Sequence, residues 1–234
     1  MPPIRRDTPK NGLLAAFSPE EVERFFSDLQ PVSFLIGHVF YEVGAPFENV
    51  YFIEQGLASV LTDLTNGPTI GVGMIGIEGM VGVPVLLGDE TSAQRVIVQV
   101  PGTALRMKAA PCKVAFDESA AVRRVLLRFA AARLNFSAQT AACNRVHSIK
   151  QRCARWLLMS SDRIQSDVMP MTHEFLSSML GVRRTGVTAI AGELQRSGLI
   201  HYQRGQVTIV DHAGLEATAC ECYRIDHARF AQRH

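Results

Sequence analysis

One stretch of the sequence, residues 117–169, contains neither glycine nor proline, and it constrains the fold more than any other feature. The stretch is rich in alanine, leucine and arginine, which are good helix formers. It therefore predicts one long helix followed by a second. Because the chain has 234 residues, there is room for a compact domain on each side of this helical stretch.

The residues before the helical stretch have the pattern of a mostly β domain. Between Pro31 and about Lys108, short runs of β-branched and aromatic residues are broken every few residues by glycine or proline. This pattern is typical of an antiparallel barrel or sandwich. The predicted strands cover residues 39–41, 50–53, 58–61, 70–74, 96–100 and 103–107.

The residues after the helical stretch predict two short helices and a β-hairpin. Thr172 is placed to cap the first helix, which Gly181 ends, and the second helix spans about residues 184–197. Two strand-like segments follow, joined by a turn that contains Arg204 and Gly205. Two helices joined by a short turn and followed by a hairpin form a winged helix-turn-helix, whose second helix enters the major groove of DNA.

Charge is distributed unevenly along the chain. Residues 1–118 carry 8 basic and 14 acidic side chains, residues 119–161 carry 8 basic and no acidic ones, and residues 162–234 carry 8 of each. An acidic domain followed by a basic helical stretch fits a protein that meets phosphates with one end. A solvated basic face explains the same charges equally well.

The composition also bears on the compartment. No apolar run approaches the roughly 20 residues needed to span a bilayer, and the first residues lack the apolar centre of a secretion signal. Five scattered cysteines suit reduced thiols better than a disulfide framework. We therefore expect a cytoplasmic protein with no membrane partner. The close pair Cys220 and Cys222 is expected to be buried and inert, with a redox switch as the open alternative.

An apolar stripe follows the helical stretch at alternating spacings of three and four residues, the pattern of a helix that lies along a partner. Its members are Val122, Leu126, Phe129, Phe136 and Cys143. Polar residues interrupt the stripe, so a strict coiled coil is not expected. We assign the stripe to a dimer interface, with packing on the chain's own barrel as the alternative.

The sequence offers no convincing constellation for catalysis or metal binding. The histidines are dispersed, with no metal-binding pair on one helical turn, so a zinc hydrolase lacks its ligands. The segment Gly71-Val72-Gly73 lacks the third glycine of a dinucleotide site, and no Gly-Lys-Ser/Thr phosphate loop occurs. We therefore expect neither an enzyme nor a metal site.

Several C-terminal segments resemble the DNA-binding domain of the Crp/Fnr transcription regulators, namely residues 171–188, 194–200 and 205–211. The rest of the chain resembles the same family more weakly. The resemblance implies an α+β protein with an antiparallel β-barrel of the double-stranded β-helix or jelly-roll type. It implies three parts: a cyclic-nucleotide-binding-like sensor, a dimerisation helix and a winged helix-turn-helix, over residues 1–116, 117–147 and 148–234.

The resemblance also implies contact with double-stranded DNA. Arginine suits both phosphates and guanine edges because its guanidinium group donates two parallel hydrogen bonds. The expected DNA-binding residues are Arg183, Arg184, Thr185, Thr188, Thr172 and Arg204. Arg184 matches the family's first base-reading arginine, but Thr185 and Ala189 stand where the family commonly has a glutamate and a second arginine. The family's operator therefore does not transfer to this chain.

The sensor domain departs from the family members that bind cyclic AMP. Val83 stands where these members hold the ribose with a glutamate, and Ser92 stands where they hold the phosphate with an arginine. A buried cyclic phosphate without a cation is costly, so we do not expect cyclic AMP as the effector. Arg95 and Glu78 are near enough in sequence to keep the question open. We expect a degenerate pocket for an unknown effector near Val81, Gly82, Val83, Ser92 and Ala93.

No other cofactor is expected. The family's iron–sulfur branch uses an N-terminal cysteine cluster, and here no cysteine precedes Cys112. Haem would need an axial ligand, for which His38 and the methionines are candidates, but a lone histidine in a strand region is more often a structural residue, so haem is disfavoured.

The sequence thus predicts a homodimeric regulator that binds a palindromic DNA operator, with RNA polymerase as a further candidate partner. The alternative is a ligand-sensing or redox-sensing module of the same fold that does not bind DNA specifically.

Overall fold

The computed structural model describes residues 9–65, 67 and 69–231. Two short helices come first, α1 (Gly12–Ala15) and α2 (Pro19–Phe25). Ser18 caps α2, and Glu21 completes a capping box by accepting a hydrogen bond from the Ser18 backbone.

Six antiparallel strands form the N-terminal sheet: β1 (Gln30–Phe34), β2 (Val39–Tyr41), β3 (Asn49–Asp63), β4 (Thr69–Ile75), β5 (Met80–Val81) and β6 (Arg95–Lys108). The long strands β3 and β6 pair with each other, and each pairs with two different short strands along its length. Within the described residues the ladder runs from β1 through β6 and β3 to β4 without closing, so the predicted barrel is an open antiparallel sheet. A 3₁₀-helix (Val83–Leu87) follows β5.

Two pairs of predicted strands are in fact single long strands. Residues 50–53 and 58–61 both belong to β3, and residues 96–100 and 103–107 both belong to β6. A Cβ atom at Gly102 would lie 2.0 Å from the Gln55 carbonyl oxygen. The glycine therefore permits the two backbones to approach closely. Both strands continue past this point with shifts in register and do not end there.

Helix α3 (Ala109–Glu118) lies mostly before the predicted helical stretch. The predicted long helix is α4 (Ala120–Val146), the predicted second helix is α5 (Ile149–Ile164), and a serine cap precedes each. The Ser119 hydroxyl accepts a hydrogen bond from the Val122 backbone, and Ser148 forms a capping box with Gln151. These side-chain bonds satisfy amide groups that a helix leaves free at its first turn.

The C-terminal unit contains β7 (Val168–Pro170), α6 (His173–Leu180), α7 (Arg184–Arg196), β8 (Ile200–Gln203), β9 (Gln206–Ile209), α8 (His212–Thr218) and α9 (Cys222–Ala231). Its three strands pair in the order β7-β9-β8. The hydrophobic core of this unit also includes Leu57, Leu61 and Met74 from the N-terminal sheet. The C-terminal unit therefore packs directly on β3 and β4.

In the part of the chain that the structure describes, none of the helices combines the length and the apolar character needed to cross a bilayer.

Candidate nucleic-acid interface

Helices α6 and α7 pack together through an apolar face. Leu176, Met179 and Leu180 of α6 are buried, as are Val187, Ala191 and Leu194 of α7. Gly181 adopts a left-handed conformation with φ of +62°, which ends α6 and lets the chain turn into α7. The two helices thus have the arrangement that the sequence predicts.

The opposite face of α7 is open to solvent at its first turns. Arg183, Arg184, Thr185, Thr188 and Ala189 are all exposed. Arg183 occupies the N-cap position and makes no side-chain capping bond. The first backbone amides of α7 therefore have no side-chain cap, and this end of a helix attracts anions.

Thr188 belongs to a small network that the sequence analysis did not predict. Its hydroxyl donates to the Arg184 carbonyl oxygen at 3.1 Å and lies 3.0 Å from Nδ1 of His173. The His173 ring stacks on Tyr202 of β8 with centroids 4.3 Å apart. Burial, together with the nearby Arg184 charge, lowers the pKa of His173. His173 thus links α6, α7 and β8, and no periodic pattern in the sequence signals that contact.

The hairpin between β8 and β9 turns through Arg204 and Gly205, which both have positive φ, +49° and +76°. This is the type I′ geometry of a two-residue hairpin. The Met171 amide donates to the Gly205 carbonyl oxygen at 2.7 Å, which holds the hairpin tip beside the start of α6. Thr172 and Arg204 are both exposed there, although the Thr172 hydroxyl already accepts from the Phe175 amide.

Most of the basic helical stretch does not form a surface for phosphates. Arg155 is buried in an ion pair with Asp226 at 2.6 Å, and Lys150 pairs with Glu193 at 2.6 Å. Further cations of the stretch donate to backbone carbonyl groups, namely Arg123, Arg133 and Arg152. Many of the basic side chains between residues 119 and 161 are therefore bonded to groups of the same chain.

Residues 151–218, which include α6, α7 and the hairpin, match the family described as "Crp-like helix-turn-helix domain". This part of the chain is therefore similar to Crp-like helix-turn-helix domains. No curated protein matches the sequence.

Solved structures of Crp/Fnr regulators share the fold over most of this chain. FixK2 from Bradyrhizobium japonicum aligns with a TM-score of 0.70 at 16% identity, over 82% of this chain and 98% of that one. A putative Crp/Fnr regulator from Eubacterium rectale aligns with a TM-score of 0.68 at 17% identity, over 89% and 98%. TTHB099 from Thermus thermophilus, a transcriptional regulator of the CRP family, aligns with a TM-score of 0.69 at 20% identity, over 80% and 96%. The predicted Crp/Fnr resemblance and fold class are confirmed.

The N-terminal part of this Crp/Fnr fold contains a cavity of about 240 Å³ between the sheet and α4. Val81, Gly82, Val83 and Ser92 line it, whereas Ala93 does not. The lining is mostly apolar, and the Ser92 hydroxyl donates to the Gln94 carbonyl oxygen at 2.6 Å.

Charged groups around the cavity are largely paired elsewhere. Arg133 of α4 lines the cavity and donates to the Met74 carbonyl oxygen at 2.6 Å, and burial lowers its pKa to about 10. Arg95 pairs with Glu42, and Glu78 pairs with Arg163 at 2.9 Å. Neither Arg95 nor Glu78 lines the cavity, so neither replaces the ribose or phosphate contacts of the cyclic-AMP-binding members.

The stripe that we assigned to a dimer interface lies inside a single chain. Its side chains are at most 2% exposed because they pack against the N-terminal sheet and the C-terminal unit: Val122, Leu126, Phe129, Phe136 and Cys143. We therefore correct that assignment, and the alternative of packing on the chain's own domains holds. A second stripe with the same alternating spacing is exposed on the other side of α4: Leu127, Ala131, Leu134, Ala138 and Ala141.

Proposed function

We propose that this chain is a sequence-specific DNA-binding transcription regulator that acts as a homodimer in the cytoplasm and has no enzymatic role. The observation that carries the proposal is the first turn of α7, where Arg183, Arg184 and Thr185 are exposed while the inner face of the same helix is buried. A recognition helix needs this division, because one face must hold the helix and the other must reach base edges.

Different residues support different parts of DNA binding. Arg184 has the fork of donors that pairs with a guanine edge. Arg183 at the uncapped start of α7 and Arg204 at the hairpin tip suit phosphates, which position a protein without specifying sequence. The Thr188 hydroxyl is occupied by Arg184 and His173, so we give it a smaller role in reading bases.

The exposed stripe of α4 supports the homodimer. Three of its five residues are alanine, and small side chains let two helices approach closely while the leucines fill the seam. A symmetric pair of recognition helices would read two half-sites about 34 Å apart, one turn of the DNA helix.

The cavity beside α4 supports an effector other than cyclic AMP. Its wall is mostly apolar, and Ser92 is a neutral residue already bonded to Gln94. Ser92 offers a cyclic phosphate no charge, and Arg133, a cation of the same wall, already donates to the Met74 carbonyl oxygen. We propose an effector with a largely apolar surface, neither a haem nor an iron–sulfur cluster.

Selection of DNA from a random library by the full-length protein tests the function. The salt concentration is fixed near the physiological value, because phosphate contacts make affinity strongly salt-dependent. We expect enrichment of a palindrome whether or not cyclic AMP is added. Enrichment only with cyclic AMP would contradict the effector proposal, and no enrichment under either condition would favour a sensing module that does not bind DNA specifically.

A further inference from the structure

Four side chains that bind metals well converge between α4 and the C-terminal helices. Cys143 and His147 lie one turn apart near the end of α4, and Cys220 and Cys222 flank the start of α9. Their ligating atoms, three Sγ and one imidazole nitrogen, all lie within 4.8 Å of one another. Cys220 and Cys222 are each more than seventy residues from Cys143 along the chain.

The distances within this cluster fit a single tetrahedral ion. The Sγ atoms of Cys143 and Cys220 are 3.5 Å apart, and Cys222 Sγ lies 3.7 Å from His147 Nδ1. Bonds of about 2.3 Å from zinc to sulfur and about 2.0 Å to nitrogen give tetrahedral edges of roughly 3.5–3.8 Å. A disulfide would instead bring two sulfurs to about 2.05 Å.

Neighbouring polar groups are arranged as in the outer shell of a metal site. Glu221 Oε2 lies 3.1 Å from Nε2 of His147, the ring nitrogen that does not face the cysteines. The Gln139 side-chain amide donates to Cys222 Sγ at 3.0 Å. A carboxylate on the far nitrogen of a ligating histidine fixes the ring orientation, and hydrogen bonds stabilise ligating groups in the same way.

The cluster is also separate from both apolar cores. Cys143, Cys220 and Cys222 are 0%, 4% and 1% exposed and form a buried group of their own. If these cysteines served only to fill a hydrophobic core, the histidine and the carboxylate beside them would have no function there. Three cysteines and one histidine are one of the closed ligand sets of structural zinc.

We propose that Cys143, His147, Cys220 and Cys222 form a structural site for one tetrahedral divalent ion of the zinc type. Binding replaces the three thiol protons by metal–sulfur bonds, and the protons go to solvent. The ion joins α4, which carries the exposed stripe, to the start of α9 and the residues just before it. It therefore fixes the C-terminal unit to the helix that we propose for dimerisation. The expectation that the chain has no metal site gives way to this proposal.

The test uses the full-length chain, purified with a thiol reductant and without a chelator. We expect zinc in equimolar amount by elemental analysis and by mass spectrometry of the native protein. Cobalt(II) added to the apo-protein should give the intense sulfur-to-metal absorption and the visible bands of a tetrahedral thiolate site. Since these spectra need only the unmodified protein, a variant that fails to fold does not affect them.

Cys222→Ser and Cys220→Ser should each lose the bound zinc and the cobalt spectrum. Cys153→Ala is the matched control because Cys153 is also fully buried but lies in α5, outside the cluster. The control should keep equimolar zinc. The proposal is wrong if the reduced wild-type chain binds neither zinc nor cobalt, or if the Cys220→Ser and Cys222→Ser variants both retain as much metal as the wild type.

Discussion

Among single residues, Arg184 gives the sharpest test of sequence recognition. Its side chain is exposed at the first position of α7. Arg184→Ala should weaken binding to the selected operator by about 1–3 kcal/mol and relax the preference at one base pair, because a bidentate contact to guanine would be lost. Competition binding with operators substituted at each position measures both effects.

Arg24→Ala is the matched control for Arg184→Ala. Arg24 is an exposed cation on α2 that pairs with Glu118, remote from the proposed interface. The control should leave both affinity and preference unchanged. If Arg184→Ala weakened binding to every sequence equally, Arg184 would hold only phosphate.

The buried ion pair between Arg155 and Asp226 predicts a large effect on stability. The two side chains are 4% and 2% exposed, and Arg155 also donates to the Thr140 hydroxyl at 3.1 Å. Asp226→Ala should lower the free energy of unfolding by about 3–5 kcal/mol, since it leaves a guanidinium group buried without its charge partner. Urea denaturation measures the change.

The exposed pair of Arg224 and Glu216 provides the comparison for Asp226→Ala. Glu216→Ala removes a carboxylate from a pair in the same C-terminal unit, whose arginine is 74% exposed. It should cost no more than about 1 kcal/mol, because water solvates the remaining charge. Equal effects of the two substitutions would contradict the assignment of Asp226 as a buried anchor.

At the scale of elements, the exposed stripe of α4 predicts where dimerisation can be broken. Ala131 lies within the stripe, between Leu127 and Leu134. Ala131→Glu should raise the dimer dissociation constant at least tenfold, equivalent to about 1.4 kcal/mol, because it places a bulky charge between closely packed helices. Sedimentation measures the dissociation constant.

Ala121→Glu makes the same substitution on the same helix, at an exposed residue of its first turn that lies outside the stripe. It should leave the dimer intact. A protein that is monomeric without substitution, with or without DNA, would contradict the homodimer proposal itself.

Elements were predictable from the sequence where a local signal decides them. Thr172 and Gly181 correctly bounded α6. Glycine was misleading in the sheet, since Gly56 and Gly102 permit close approach between β3 and β6 rather than ending a strand. The apolar stripe of α4 was recognised, but a period alone does not say whether the partner is the same chain or a second one.

The candidate sites show the same limit. Arg183 and Arg184 were predictable as exposed because the helix they begin has a regular apolar face. The contact between Cys143 and Cys220 was not predictable, because only the packing of α4 against α9 brings these distant segments together. The stack of His173 on Tyr202 also depends on tertiary packing, so neither residue was assigned to the interface.

For the molecule as a whole, strand β4 connects the cavity to the DNA-binding domain. Ile75 lines the cavity, and Met74, the preceding residue, belongs to the core that the sheet shares with the C-terminal unit. Arg133 of α4 lines the same cavity and donates to the Met74 carbonyl oxygen. An effector that moves Arg133 or β4 would therefore act on the surface on which the helix-turn-helix rests.

The contact between Gly71 of β4 and Met179 of α6 predicts how this docking can be broken. A Cβ atom at Gly71 would lie 2.9 Å from the Met179 Cα atom. Because Cα is a backbone atom, it cannot move aside as the end of a flexible side chain can. Gly71→Val should weaken docking by about 1–3 kcal/mol, the usual cost of overpacking. Backbone amides of α6 and β4 should then exchange with deuterium roughly ten- to a hundredfold faster, while α2 is unaffected. Thr69→Val is the control, because it also places a valine on β4 but away from Met179. It should leave hydrogen exchange in α6 unchanged. If Gly71→Val also left exchange in α6 unchanged, the two domains would not be held together at this contact, and an effector would have to act on α7 by another route.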